Sequence, residues 1–222
     1  MEQDRTIYYT GCRKEMIPFV PAGSKKILEV GCGEGNFISQ LKSGGAELWG
    51  VEPDQVSARI AGTKLFKVLN NTIEEALGSL PDKYFDVLVL NDVLEHMLYP
   101  GDNLRKLKAK LNSSGQLVAS IPNFRYVKSL FQVAVKGNWR YRDHGILDQT
   151  HIRFFTRKSI RDLFEDSGYD IIMVKGINRT KSIKFHLLVF LFSLLTLTSH
   201  LDMLYLQFAV VARTKDPKNI LI

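Results

Sequence analysis

Cysteine is almost missing from this chain of 222 residues: Cys12 and Cys32 are the only two. Cys32 lies inside a glycine-rich turn, so a structural disulfide is not expected. The chain reads as one for a reducing, cytoplasmic compartment. Long hydrophobic runs are missing too. The longest apolar stretch, 187–197, falls short of the ~20 residues that a membrane-spanning helix requires. The opening residues are polar and charged, without a signal-peptide pattern. No internal repeat or low-complexity segment breaks the chain, so residues 1–222 read as one domain. No compact RNA- or DNA-binding module is present, because the lysines and arginines are spread over helix faces; a nucleic-acid partner is not favoured. A Ser-His-Asp hydrolase would need its nucleophile on a strand-to-helix elbow, and none is found. His144, Asp148 and His151 are all able to bind metal, but their spacing matches no strong signature, and no metal is expected.

What is present is an ordinary globular composition: 45% hydrophobic and 24% charged residues, with a net charge of +7. That mild basicity permits anionic substrates, nucleic acid or a membrane surface, and selects none of them.

The stretch Ile27-Leu28-Glu29-Val30-Gly31-Cys32-Gly33-Glu34-Gly35-Asn36-Phe37 organises the rest. It reads as a buried strand, three alternating glycines, then a helix carrying Phe37, Ile38 and Leu41. Glycine lets bare backbone approach a ligand, and a helix N-terminus offers unpaired N–H groups. A dinucleotide fingerprint wants its third glycine at position 36, where Asn36 stands; Gly35 comes one place early. The next strand, 47–52, ends in Glu52, followed by Pro53. Glu52 comes 21 residues after Gly31, the interval at which a carboxylate can accept hydrogen bonds from both hydroxyls of a ribose. Asp54 suits the cap of a helix over 55–62. Further strands are read at 65–69, 84–90, 116–121, 169–174 and 206–213, with helices at 101–111 and 157–167 and helical spacing at Val127, Leu130, Phe131, Ala134 and Val135. The apolar run 84–90 has the composition of a central parallel strand. It ends in Asn91, Asp92, Val93, Leu94, Glu95 and His96, at the carboxyl end of the sheet where ligands bind in open α/β folds.

The run from Glu29 through Gly31, Gly33 and Gly35, with Glu52 and the segment after 84–90, resembles class I S-adenosyl-L-methionine (SAM) methyltransferases of the type 11/23 kind. The resemblance covers residues 26–122 and extends more loosely to 213. It implies a Rossmann-like α/β fold: a seven-stranded, mostly parallel sheet with its last strand antiparallel, helices on both faces and a helical insertion after strand five. It also implies SAM as cofactor, held by Glu29, Gly31, Gly33, Gly35, Glu52, Pro53, Thr72, Ile73, Asn91, Asp92 and Leu94. Thr72 stands where the family often has an aspartate facing adenine, which leaves that contact to backbone or to Ile73. A leader over 1–23 is read with a short helix ending at Pro18; Tyr9 or Arg13 would cover the amino-acid end of the cofactor.

The insertion 124–156 is dense in aromatic, basic and titratable residues, suited to a polar, hydroxylated substrate. Its run Gly145-Ile146-Leu147-Asp148-Gln149-Thr150-His151-Ile152-Arg153-Phe154-Phe155-Thr156 resembles a bacterial subgroup associated with cell-surface glycans and other sugars. Direct methyl transfer to an oxygen of a small molecule or glycan precursor is the implied reaction. His151 is the candidate general base, since an imidazole titrates near neutral pH, and Asp148 would orient it or hold substrate. The other reading is that Asp148, His151 and Arg153 form a hydrogen-bond network that fixes the loop. His96 reads as structural. A nicotinamide-dependent oxidoreductase, against which the early third glycine and the segment after 84–90 count, a nucleic-acid methyltransferase and a SAM-binding scaffold without turnover are the competing functions. The apolar segment 185–206 must cover its surface against the sheet, a second subunit or a membrane interface, giving a cytoplasmic protein with membrane association or a homodimer as alternatives.

Overall fold

In the computed structural model, residues 12–42 and 44–215 are described. Seven strands make one sheet: Lys26–Val30 (β1), Glu47–Val51 (β2), Lys67–Leu69 (β3), Phe85–Asn91 (β4), Leu111–Pro122 (β5), Tyr169–Arg179 (β6) and Tyr205–Thr214 (β7). Their spatial order is β3-β2-β1-β4-β5-β7-β6. The pairs from β3 to β5 are parallel, and β7 runs antiparallel between β5 and β6. The expected sheet, with its inserted antiparallel last strand, is the one found.

β1 and β4 sit at the centre, buried on both faces, which is why they read as continuous apolar runs. On one face Leu28, Val30, Leu88 and Leu90 pack with side chains from three helices: Ile73–Ala76, Pro100–Leu107 and Arg157–Asp166. On the other, Ile27, Val87 and Val89 meet Met16, Phe37, Ile38 and Ala61. We label the α-helices α1 (Gln55–Gly62), α2 (Ile73–Ala76), α3 (Pro100–Leu107), α4 (Val127–Ala134), α5 (Arg157–Asp166) and α6 (Ile183–Thr196). Asp54 caps α1 as its sequence position predicts, its side chain accepting from the Ser57 N–H.

Three local expectations change. The leader helix is a 3-10 helix, Lys14–Phe19, that runs through Pro18 instead of stopping at it. Pro18 has no N–H to give, and the helix closes past it through the Val20 N–H, which donates to the Ile17 carbonyl at 3.1 Å. The first-described part of that leader begins at Cys12, so Tyr9 lies outside the described residues. The helix expected over 101–111 ends at Leu107 plus a 3-10 turn, and β5 begins at Leu111; residues 112–115 bulge, shifting the β4–β5 register between Phe85 and Val87. The apolar segment is also broken. α6 ends at Thr196, and Leu197 takes a left-handed conformation (φ 53). The Ser193 side chain accepts from the His200 N–H, and the Thr196 and Thr198 hydroxyls both contact the His200 ring, so polar side chains close the helix there. A 3-10 helix, Leu201–Leu204, then leads into β7.

α6 does not lie on the sheet. Val189 is its one buried side chain, packed with Val127, Met203 and Leu204, and Phe185 meets Phe131 of α4 at 5.7 Å between rings. The sheet faces are already filled by α2, α3 and α5 on one side and by α1 and the 3-10 segments on the other, so α6 stacks on the insertion instead.

Candidate functional site

The carboxyl ends of β1, β2 and β4 meet in a cavity of about 580 Å³. Beyond Val30 the chain turns through Gly31 (φ 67), Gly33 (φ 53) and Gly35 (φ 74). The N–H groups of Gly31 and Cys32 both donate to the Val51 carbonyl, at 2.8 and 3.2 Å, which locks the turn to β2. A Cβ on Gly31 would stand 2.8 Å from a methyl of Val93, so the loop after β4 closes directly over the bare backbone. Gly35 packs against Leu65 and Ala61 and stands behind the cavity wall.

The helix expected after this turn is a single 3-10 turn, Ile38–Leu41. The reason is local. The Asn36 carbonyl, which an α-helix would give to the Gln40 N–H, instead accepts from Gln40 Nε2 at 2.7 Å, and the Gln40 N–H bonds Phe37. The cradle therefore presents the N–H groups of a glycine turn, without the dipole of a long helix behind them.

The lining is acidic although the chain is basic. Glu29, Glu52, Glu74, Asp92, Glu95, Asp143 and Asp148 face the cavity, and among the described residues Arg13 is the one arginine or lysine in its lining. Glu29 is buried; its Oε1 accepts from Asn91 Nδ2 at 3.3 Å, and its Oε2 has no hydrogen-bond partner among the described residues. Burial pushes its pKa up to about 8. Glu95 is fully buried, and among the described residues no side chain hydrogen-bonds either carboxyl oxygen; burial again pushes its pKa up to about 8, against the pull of its own backbone N–H. Asp92, at a left-handed φ of 53, is held on every side. Its N–H donates to the Ser120 carbonyl, its Oδ1 accepts from Ser120 Oγ and Gln207 Nε2, and its Oδ2 pairs with Arg13. Glu52 accepts from the Gly33 N–H at 2.8 Å with one oxygen and from the Asp54 N–H at 2.9 Å with the other. Each oxygen keeps a second lone pair. Burial raises the pKa of Glu52, against those two backbone bonds.

The insertion supplies the far wall. His151 lies half-buried; its Nδ1 donates to the Ile146 carbonyl at 3.2 Å, which fixes the tautomer and leaves the Nε2 lone pair available. That Nε2 is 3.9 Å from Glu95 Oε1. Burial holds the imidazole below its usual pKa, so it is neutral at pH 7. Asp148 does not hold the ring. Its Oδ1 accepts from the Thr150 N–H at 2.8 Å and the Thr150 hydroxyl at 2.6 Å, and it meets His151 only through backbone. His96 Nδ1 contacts the Thr150 carbonyl and hydroxyl, and its ring stands edge-on to His151 at 4.7 Å, tying the β4 loop to the insertion. Among the described residues, the set whose ligand atoms lie within 4.8 Å of one another is Glu95, His96 and His151, and not His144, Asp148 and His151.

Of the residues singled out from sequence, Glu29, Gly31, Gly33, Glu52, Pro53, Thr72, Ile73, Asn91, Asp92, Asp148 and His151 all line this one cavity. Leu94 does not: it is fully buried in the core, and its neighbour Val93 faces the cavity instead. Thr72 spends its side chain on a capping box with Glu75 at the start of α2. Sequence reading missed Glu95 and Gln207. Glu95 carried a signal, an acid between the apolar Leu94 and Met97; Gln207 carried none, because β7 reaches the site only through the sheet.

A family described as "Methyltransferase domain" matches residues 9–174. The chain is 34% identical over 102 residues to a mitochondrial ubiquinone biosynthesis O-methyltransferase of Schizosaccharomyces pombe, covering 43% of this chain and 37% of that one. It is 32% identical over 123 residues to a ubiquinone biosynthesis O-methyltransferase of Bradyrhizobium diazoefficiens, covering 52% and 46%. The aligned part thus spans less than half the length of either relative. A solved SAM-dependent methyltransferase from Archaeoglobus fulgidus superposes with a TM-score of 0.62 at 20% identity, covering 93% of this chain and 88% of that one.

Proposed function

This chain belongs to the methyltransferase domain family, and from that premise we propose that it methylates an oxygen of a small hydroxylated acceptor, a sugar or surface-glycan precursor being the first choice. The cofactor is SAM, which supplies, when bound, a methyl group on a sulfonium already activated for direct displacement.

The observation that supports the reading best is the acid-lined cavity under a glycine turn in a chain of net charge +7. A buried carboxyl with an unpartnered oxygen, as in Glu29, suits a cationic ligand, because a positive charge repays the cost of ionising it. In this reading Glu52 accepts from the two ribose hydroxyls while Gly33 and Asp54 keep its carboxylate aimed. Gly31 and Gly33 let the backbone come close, and Thr72 and Ile73 border the adenine end. Asn91 holds Glu29, and Arg13 with Asp92 closes the amino-acid end.

His151 takes the acceptor's hydroxyl proton at Nε2. The Ile146 carbonyl keeps Nδ1–H in place, so the ring is presented as a base and not as an acid. Once protonated, the imidazolium lies beside Glu95, whose ionisation would stabilise it. Asp148 and Thr150 hold the loop that carries the ring.

The test begins with titration of the full chain by SAM, S-adenosylhomocysteine and NADH. Binding of both adenosyl ligands and none of NADH is expected; NADH binding alone would overturn the cofactor. Methyl transfer from labelled SAM to a panel of hydroxylated acceptors follows. His151→Ala should lower kcat by about a hundredfold or more with SAM affinity kept. Its rising acid limb in the pH–rate profile, set by a histidine pKa below the usual 6.5, should vanish with it. Full activity in the variant would remove His151 as the base. Tight SAM binding without transfer to any acceptor would leave a scaffold function.

A further inference from the structure

The surface built by α6, α4 and the chain 135–142 is both unusually apolar and unusually cationic. Nine large apolar side chains between Ile183 and Leu197 are 41 to 91% exposed, among them Leu187, Phe190, Leu191, Leu195 and Leu197. Single exposed apolar residues are common, but a contiguous patch of this kind marks an interaction surface. α6 has 14 residues, a length of about 21 Å, short of the ~30 Å of a bilayer core, and among the described residues no helix is long and apolar enough to cross a membrane.

Charge says what covers it. The stretches 124–142 and 179–201 hold eight lysines and arginines and no carboxylate, leaving twenty-two cations against twenty-three acids in the rest of the chain; of the eight, Arg125 is paired with Asp202, one residue past the second stretch. Lys128, Lys136, Arg140, Arg142, Lys181 and Lys184 are exposed. Trp139 and Tyr141, 40 and 57% exposed, stand between these cations, and the Trp139 ring meets Phe124 at a tilt and Phe154 edge-on. Apolar side chains, interleaved cations and aromatic rings are the recognition chemistry of an anionic lipid interface. A second copy of this chain fits badly, because a two-fold contact would set the eight cations against themselves.

We propose that α6, α4 and the 135–142 segment form a peripheral docking surface for an anionic lipid bilayer, laid on the interface without crossing it. The chain that follows this surface, from Asp143 to His151, is a wall of the cavity, so docking would bring the cavity mouth to the headgroup layer. This inference stands on surface composition and holds whether or not the acceptor proposed above is correct.

The experiment is flotation of the full chain with vesicles of phosphatidylcholine alone and of phosphatidylcholine with about 30% phosphatidylglycerol. Binding should be at least about tenfold stronger to the anionic vesicles and fall in high salt. Leu191→Ser with Leu195→Ser should abolish it, and Lys181→Gln with Lys184→Gln should remove the anionic preference. All four positions are exposed, and unchanged SAM affinity checks that the variants fold. No binding by the intact chain, equal binding to both vesicles, or a stable dimer in place of vesicle binding would each overturn the proposal.

Discussion

At the scale of single residues, burial decides the protonation of the cavity's acids. Glu29 and Glu95, each with a pKa of about 8, are mostly protonated at pH 7 in the ligand-free protein. A cation arriving beside Glu29 favours its ionised form, so binding must release a proton. The affinity for SAM should therefore rise as pH rises from 6 to 8 and level off above that. Glu29→Gln should flatten this slope, as calorimetry in buffers of differing ionisation enthalpy would read; a slope unchanged in the variant would dismiss Glu29 as the coupled group. Glu52 acts differently. Two charge-assisted bonds to a ribose at ~1.5 kcal/mol each make roughly 3 kcal/mol, so Glu52→Ala should weaken SAM binding by roughly a hundredfold. Unchanged affinity would sink the ribose assignment. Both residues were legible in the sequence, because each sits at a fixed distance from a glycine turn. Glu95 was legible only as an acid in an apolar setting, between Leu94 and Met97; the histidine 56 positions later that it meets was not.

At the scale of elements, the turn between β1 and the 3-10 segment is tightly constrained. Gly31→Ala meets two obstacles: a positive φ of 67, and a Val93 methyl 2.8 Å from the new carbon. We expect a loss of about 2 kcal/mol or more in urea unfolding. Adding Val93→Ala to Gly31→Ala should remove the clash and leave the backbone cost, so the double variant recovers part of SAM binding. Wild-type stability in Gly31→Ala alone would contradict this packing. The strands were readable because apolar runs bounded by glycine and proline are local signals. The helix after the glycine turn was misjudged because its periodicity is real, with Phe37 and Ile38 buried, while one side-chain amide intercepts the ladder. α6 was misjudged in extent for a similar reason: polar side chains around Thr196 and His200 end it before the apolar pattern does.

At the scale of the whole molecule, the net charge of +7 is a poor guide to the site. The excess of positive charge falls on the α4–α6 surface, while seven of the twenty-three acids line the cavity. Stability follows from the second group. Between about 4.5, the ordinary value, and about 8, the folded chain holds protons on Glu29 and Glu95 that the unfolded chain has released. The folded state binds more protons there, so stability falls as pH rises through that window. Thermal unfolding of the ligand-free protein should show Tm dropping from pH 5 to pH 8, and the double variant Glu29→Gln, Glu95→Gln should lose most of the drop. His96 and His151, whose pKa values burial lowers, push Tm the other way below pH 6.5, so the difference between wild type and double variant is the readout; the same pH dependence in both would mean these carboxyls are already ionised. The sequence by itself determined the order of strands and turns, the glycine cradle and the carboxylate after β2, since each rests on neighbours within a few residues or on a spacing the fold repeats. Tertiary structure alone decided which acids lose their water, that Ile146 and not Asp148 orients His151, that Gln207 reaches Asp92 across the sheet, and that α6 stays uncovered. Those outcomes depend on what lies opposite a residue in space, and burial and partnering are properties of the packed chain.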